Sequence, residues 1–246
     1  MLVGTGATAV LMEDCPEGAF ALQPVLEALR SGRRREVTVE GILKTVDLDH
    51  AKIVGTLHWL DALVSFVPAL ARYRSDLSGW FMEKARKHQI NPRRHTVIHP
   101  LGTNNENEMT ARGLKRAMAD FIDQIGITAD TVTRDQELLF MTGDGKTFEG
   151  MNRVKRYLEH NEESDFDAFR HVMPNLEIWH TKWTDLGRIC RGAWGKEHKD
   201  TDPSTLGYMA KAMNSPTPKD FLKVDFYTNL NLVHTVIRAH MLSCWE

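Results

Sequence analysis

The chain of 246 residues carries 31 lysines and arginines against 33 aspartates and glutamates, a formal net charge of −2, and is 42% hydrophobic. This excludes wholesale disorder, because enough apolar surface exists to offset the chain entropy, and a chain of this size buries a core without disulfides or metals. It also excludes a globally basic duplex-binding surface, so any contact with nucleic acid must be local.

Three cysteines, Cys15, Cys190 and Cys244, are odd in number and show no Cys-x-x-Cys spacing. Neither a disulfide framework nor a structural zinc site is supported, and a reducing, intracellular setting, nuclear or cytoplasmic, is expected. No charged-then-apolar leader opens the sequence. The most apolar stretch, 53–71, contains His58, Asp61 and Pro68, so a buried helix is expected there and no membrane partner.

Taken in chain order, residues 2–12 predict a strand interrupted by a turn, and 13–18 a loop. Residues 19–29 predict a short helix with Pro24 near its first turn, ended by Gly32. Residues 37–43 read as a strand or a short helix. A long helix is predicted over 49–73, where Ile53, Leu57, Leu60, Val64 and Val67 recur at spacings of three and four and Pro68 kinks or ends it. A second helix, 77–88, closes before Asn91-Pro92. Residues 96–101 predict a strand and turn. The helix over 104–126 takes Asn104 or Asn105 as cap, buries a stripe of Leu114, Ala117, Met118, Phe121 and Ile122, and stops at Gly126. The apolar run 138–141 suits a strand buried on both faces. A helix with Phe148, Met151, Val154 and Leu158 on one face follows, then a polar loop over 159–167, a strand over 175–179, a helix over 184–193 and a loop over 198–220. The last helix, 230–245, ends at Glu246 without a capping glycine, which points to a longer parent chain. The fold class is α/β and helix-rich, with a short mixed central sheet flanked by helices. An N-terminal helical region with an early strand is expected over 1–92, and an α/β core with a C-terminal helix over 93–246.

Several motifs fail on context. Gly4-Thr5-Gly6-Ala7-Thr8-Ala9 fits the dinucleotide pattern but lacks the strand before it, the helix inside it and the acid about twenty positions on. Gly145-Lys146-Thr147 is not a phosphate loop, because Phe140 stands where its first glycine is needed. His95 and His99 flank extended chain, where residues four apart lie about 13 Å from each other. Two basic clusters, Arg30 with Arg33, Arg34 and Arg35, and Lys84, Arg86 and Lys87 with Arg93 and Arg94, read as solvated helix ends, or as a phosphate-contacting patch or nuclear import signal.

Asp144 is the residue on which chemistry is most readily built. It stands at the carboxyl tip of a predicted strand, between Gly143 and Gly145, where α/β sheets place functional groups. On one reading it binds a hard cation such as Mg²⁺, which takes one or two carboxylates plus substrate phosphate, and the glycines admit the ligand. On the other it caps the next helix while the glycines make the turn. His180, in Trp179-His180-x-x-Trp183-Thr184-Asp185, follows the next strand. It serves as a proton shuttle or phosphate contact, with Asp185 as a further carboxylate or the N-cap of the next helix, or the cluster is a polar junction packed by two tryptophans.

The segments His99-Pro100-Leu101-Gly102-Thr103, 104–126, Thr142-Gly143-Asp144-Gly145, 179–186, Trp194-Gly195, 202–207, 223–227 and 241–245 resemble a fungal family of unknown function, family 6589. They cover most of residues 95–246. The family is similar in turn to transposase cores of the ribonuclease-H-like type, in which one strand ends in an aspartate and the next leads to a histidine-bearing helix start. Asp144 and His180 fall on those positions. The resemblance implies a DNA-binding, transposase-derived domain cleaving or transferring phosphodiesters with Mg²⁺, in the nucleus. It also implies a first aspartate on an early strand. Asp14 and Asp47 are poor substitutes for it, and Asp185 and Glu177 are candidates for the third carboxylate.

Three functional readings follow. The first is a transposase-derived domain in which Asp144 is the metal ligand and Asp144, His180 and Asp185 carry the chemistry. The second is a non-catalytic helical interaction domain, whose long helices bury against a partner or the missing parts of the parent chain. The third, a metabolic enzyme, requires His95, His99 and His180 to converge.

Overall fold

The computed structural model describes residues 4–13, 15–86, 93–159, 164–195 and 201–245. In chain order its elements are β1 (Thr8–Val10), α1 (Leu22–Arg30), a 3-10 turn (Arg33–Glu36), α2 (Val39–Lys44), α3 (Leu48–Phe66), a second 3-10 turn (Pro68–Tyr73), α4 (Arg74–Trp80) and a π-helical turn (Phe81–Ala85). Then come β2 (Ile98–Pro100), α5 (Ala111–Gln124), α6 (Ala129–Asp135), β3 (Leu139–Gly143), α7 (Gly145–Glu159), β4 (Val172–Leu176), α8 (Ile178–Ala193), α9 (Leu206–Ala212) and α10 (Phe226–Ser243). The chain is α/β and helix-rich, as expected. The single central sheet is not what forms. Among the described residues there are two separate two-stranded sheets, β1 antiparallel to β2 and β3 parallel to β4.

Two compact units arise, each from two stretches of chain: 1–37 with 92–181, and 38–91 with 182–246. In the first, α5 and α7 close over the parallel pair. Leu114, Met118 and Ile122 of α5 meet Met151, Val154 and Leu158 of α7, with Phe169 and Val172 beneath. The stripe read from the sequence is thus the buried face of α5. The strand beneath is buried mainly on one side, since its residues alternate in burial and Phe140 on the other side is 42% exposed, with Phe20 edge-on to its ring. In the second unit Leu57, Val64 and Leu77 form one cluster. Leu186, Cys190, Trp194, Leu232, Val233 and Val236 belong to another. Arg238 of α10 donates to Asp61 of α3 at 2.8 Å.

Several boundaries depart from the expected ones for local reasons. Helix α5 starts at Ala111, not near 104, because Asn104 exchanges backbone hydrogen bonds with Thr5 and its amide donates to Asp120; Thr110 caps the helix instead. Helix α3 ends at Phe66, one residue of extended chain before Pro68. Strand β4 lies earlier than expected, and α8 begins at Ile178, so Trp179, His180, Trp183 and Asp185 are helical. Helix α9 stands in the expected 198–220 loop, capped by Thr205. Asp14, Lys87, His88, Asn91, Pro92 and Glu246 lie outside the described residues.

Candidate functional site

Parallel strands joined by a helix finish on the same edge of their sheet, and that edge is where α/β proteins gather reactive groups. Here β3 runs into α7 and β4 runs into α8. The strands are in register from Leu139 against Val172 to Gly143 against Leu176. Asp144 and Glu177 are therefore equivalent residues, each the single link between a strand and the helix after it. The Glu177 N–H donates to the Gly143 carbonyl at 2.9 Å, tying the two junctions together.

Asp144 caps α7. Its Oδ1 accepts the Thr147 N–H at 2.8 Å, and its carbonyl accepts the Phe148 N–H at 2.8 Å. Chiefly the Thr147 N–H holds its carboxyl below the usual carboxylate range. Partial burial opposes this, while the Thr147 hydroxyl, the charge of His180 and the Lys146 N–H add to it. The carboxylate is thus ionised at neutral pH. Gly143 is required by the turn, because a Cβ there would lie 2.6 Å from Thr147 Cγ2 and 2.7 Å from its Cβ. Gly145 is not, since a Cβ there meets open space. Of the two glycines around Asp144, only the first is set by packing.

His180 lies in the first turn of α8, with Nδ1 against the Glu177 carboxylate and its ring edge-on to Trp179, 4.9 Å between centroids. A carboxylate on Nδ1 orients an imidazole and sets which nitrogen carries the proton. Trp179 is 41% exposed at this edge. Trp183 has a different task, donating through Nε1 to the Val224 carbonyl at 2.7 Å inside the second unit. Asp185 also belongs to the second unit, where it pairs with Arg188 at 2.9 Å. Of the proposed catalytic trio the edge holds Asp144 and His180, and Glu177 is the acid that accompanies them.

The other candidates have ordinary roles. Asp47 caps α3 through the His50 N–H. His99 lies on β2 opposite Ala9, and no helix opens within residues 4–9. Among the described residues no group of three or more histidine, cysteine, aspartate or glutamate side chains is placed to hold a metal ion. The donors at the β3–β4 edge accordingly do not form a complete cation cage by themselves. No described helix is long and apolar enough to cross a membrane.

Two features of the first unit have no clear sequence pattern. A cleft of about 200 Å³ between α5 and α7, beside the Asp144 turn, is lined by Glu108, Thr110, Lys146, Thr147, Glu149 and Arg153 among others. Beneath α7, His171 is 2% exposed, stacks on Phe166 at 5.0 Å, and has no hydrogen-bond partner on either ring nitrogen. Burial, followed by the charge of Lys155, pushes it down to about 4. Burial likewise pushes Lys155, which donates to the Val172 carbonyl, down to about 8. The only sequence signal was a histidine next to an apolar strand.

The profile of the family of unknown function DUF6589 matches residues 32–246, and the chain belongs to that family. No curated protein and no solved structure matches it.

Proposed function

We propose that this member of the family is a transposase-derived domain in which the β3–β4 edge handles a phosphodiester of DNA in the nucleus, on a core of ribonuclease-H-like ancestry. The observation that carries this reading is the in-register ending of the two strands, which sets Asp144 and Glu177 at adjacent strand ends with His180 one turn into α8. The donors fit a hard cation shared with substrate. Such an ion takes one or two carboxylates and completes its shell with water and phosphate oxygens. Mg²⁺, when bound, would neutralise phosphate charge and activate an attacking oxygen. Asp144 holds a carboxylate that stays charged, Glu177 orients His180, and His180 moves a proton.

The test is calorimetric titration of Mn²⁺, with and without a short oligonucleotide, on the wild type and on Asp144→Ala, His180→Ala and Asp225→Ala. Asp225 caps α10 through the Thr228 N–H just as Asp144 caps α7, so its variant controls for lost capping. Saturable binding that only Asp144→Ala abolishes is expected. Equal binding in Asp144→Ala, or none in any form, sinks the reading.

That capping role favours a second reading, a non-catalytic interaction domain. Asp144 then serves α7 alone, and its removal costs helix stability, on the order of 1 kcal/mol, with no loss of any ligand.

A further inference from the structure

The carboxyl edge of β3 and β4 exposes apolar side chains next to its charged ones. Leu176, the last residue of β4, is 44% exposed, and Ile178 and Trp179, the first two of α8, are 71% and 41% exposed. Between them stands Glu177, whose carboxylate meets His180 Nδ1. The His180 ring in turn meets the indole of Trp179 at 90°, with 4.9 Å between centroids. An aromatic side chain left open to water beside polar functional groups is the informative kind of exposure, unlike a lone aliphatic.

Charge says what kind of DNA this edge suits. Asp144 and Glu177 follow the two strand ends side by side, and the whole chain carries a net charge of −2. Duplex binding draws on cations that neutralise many phosphates, and this edge offers carboxylates instead. A bound metal ion offsets part of that repulsion but makes no basic track along a duplex. A single strand has a second source of affinity, the stacking of its bases on aromatic side chains. Stacking needs no positive charge, so an acidic edge can supply it. Inside a duplex both faces of a base are already covered by its neighbours, and only an unpaired base is free to use the indole. Base and phosphate hang from one sugar, so a nucleotide stacked on Trp179 carries its phosphate toward the adjoining His180.

We propose that Trp179 is the stacking platform for a nucleobase, and that the substrate of the β3–β4 edge is a DNA strand unpaired at that base. This names the substrate of the phosphodiester reading and rests on it.

Fluorescence anisotropy with a short labelled DNA strand in Mn²⁺ buffer, alone and annealed to its complement, tests it. Far-UV circular dichroism shows that each variant is folded. The wild type should bind the single strand at least about 10-fold more tightly than the duplex, the scale of one stacked base. Trp179→Ala should lose about 10-fold on the single strand and little on the duplex. Trp179→Phe should recover most of that loss, because a phenyl ring also stacks. Trp80→Ala removes a tryptophan of like exposure, 42%, from the second unit, and should bind as the wild type does. Equal affinity for strand and duplex overturns the proposal, as does Trp179→Ala binding the strand like the wild type, or a wild type that binds no DNA. Mn²⁺ calorimetry on the wild type and Asp144→Ala without DNA tells the two failures apart. Where Asp144-dependent Mn²⁺ binding persists, only the choice of substrate fails. Where it is absent, the phosphodiester reading fails and takes this proposal with it.

Discussion

The starts of α7 and α10 are built alike and stand in different company. Asp144 Oδ1 accepts the Thr147 N–H at 2.8 Å, and Asp225 Oδ1 accepts the Thr228 N–H at 2.8 Å. Both carboxyls are held below the usual range, chiefly by the Thr147 N–H at Asp144 and by the Thr228 side chain at Asp225. A helix cap therefore marks no site by itself. What differs is topology. Asp144 follows a strand whose parallel neighbour ends one residue before Glu177, with His180 close by, whereas Asp225 follows loop. The helices also cover different polar groups. Lys155 of α7 and the buried His171 form a titratable pair. In α10 the buried polar residue is Asn229, an amide that carries no charge at any pH; its Nδ2 donates to the Asp225 carbonyl.

Acid should separate the two regions most strongly. The folded pKa of His171, about 4, lies below the ordinary histidine value of about 6.5 that the unfolded chain recovers. The unfolded state then binds the extra proton, and stability falls as pH drops from about 6.5 toward 4 and levels off below. The full loss is up to about 3 kcal/mol, from 1.36 kcal/mol per pKa unit. Lys155, at about 8, changes only in the alkaline range and leaves this window to His171. The carboxylates held low lose their contribution only as pH falls through and below the usual carboxylate range. Urea unfolding at pH 7 and pH 4.5 should show the drop in the wild type and a flat profile in His171→Leu. A pH dependence that survives His171→Leu would place its cause elsewhere.

The next effect tests how tightly the Asp144 turn is built. Gly143→Ala brings a Cβ within 2.7 Å of the β-branched Thr147, an overpacking that costs about 2 kcal/mol. The α10 start has no such glycine. Thermal unfolding should show the loss, and its absence would mean that α7 can shift away from β3 freely.

How far the sequence disclosed this arrangement depends on the range of the forces involved. The α5 stripe was legible because Leu114, Met118 and Ile122 report a periodicity that burial alone enforces. The Asp144 turn was legible because a carboxylate between glycines is a local signal. The α5 start is not legible, because Asn104, a good cap, is held instead by Thr5, about a hundred residues earlier. Leu176, Ile178 and Trp179 look like a strand leading to His180, although Ile178 and Trp179 open α8 and stay exposed. Glu177 gained its place beside Asp144 only from strand register, which no local pattern encodes. The pairing of α3 with α10, through Asp61 and Arg238, is equally non-local.

The smallest effect decides what Gly145 is for. A glycine at the first helical position is retained either for close approach of a ligand to the backbone or for no packing reason at all. A Cβ at Gly145 meets nothing within 4 Å, so Gly145→Ala introduces no clash and restricts the unfolded chain. It should stabilise the protein by about 0.5 kcal/mol. If a cation or phosphate is held by the Asp144 carboxylate, Mn²⁺ titrations of Gly145→Ala should match the wild type. Loss of binding with the stability gain intact would instead show that the ligand sits against the bare backbone of the turn. In that case the glycine, and not the aspartate that α7 shares in kind with α10, is what sets this edge apart.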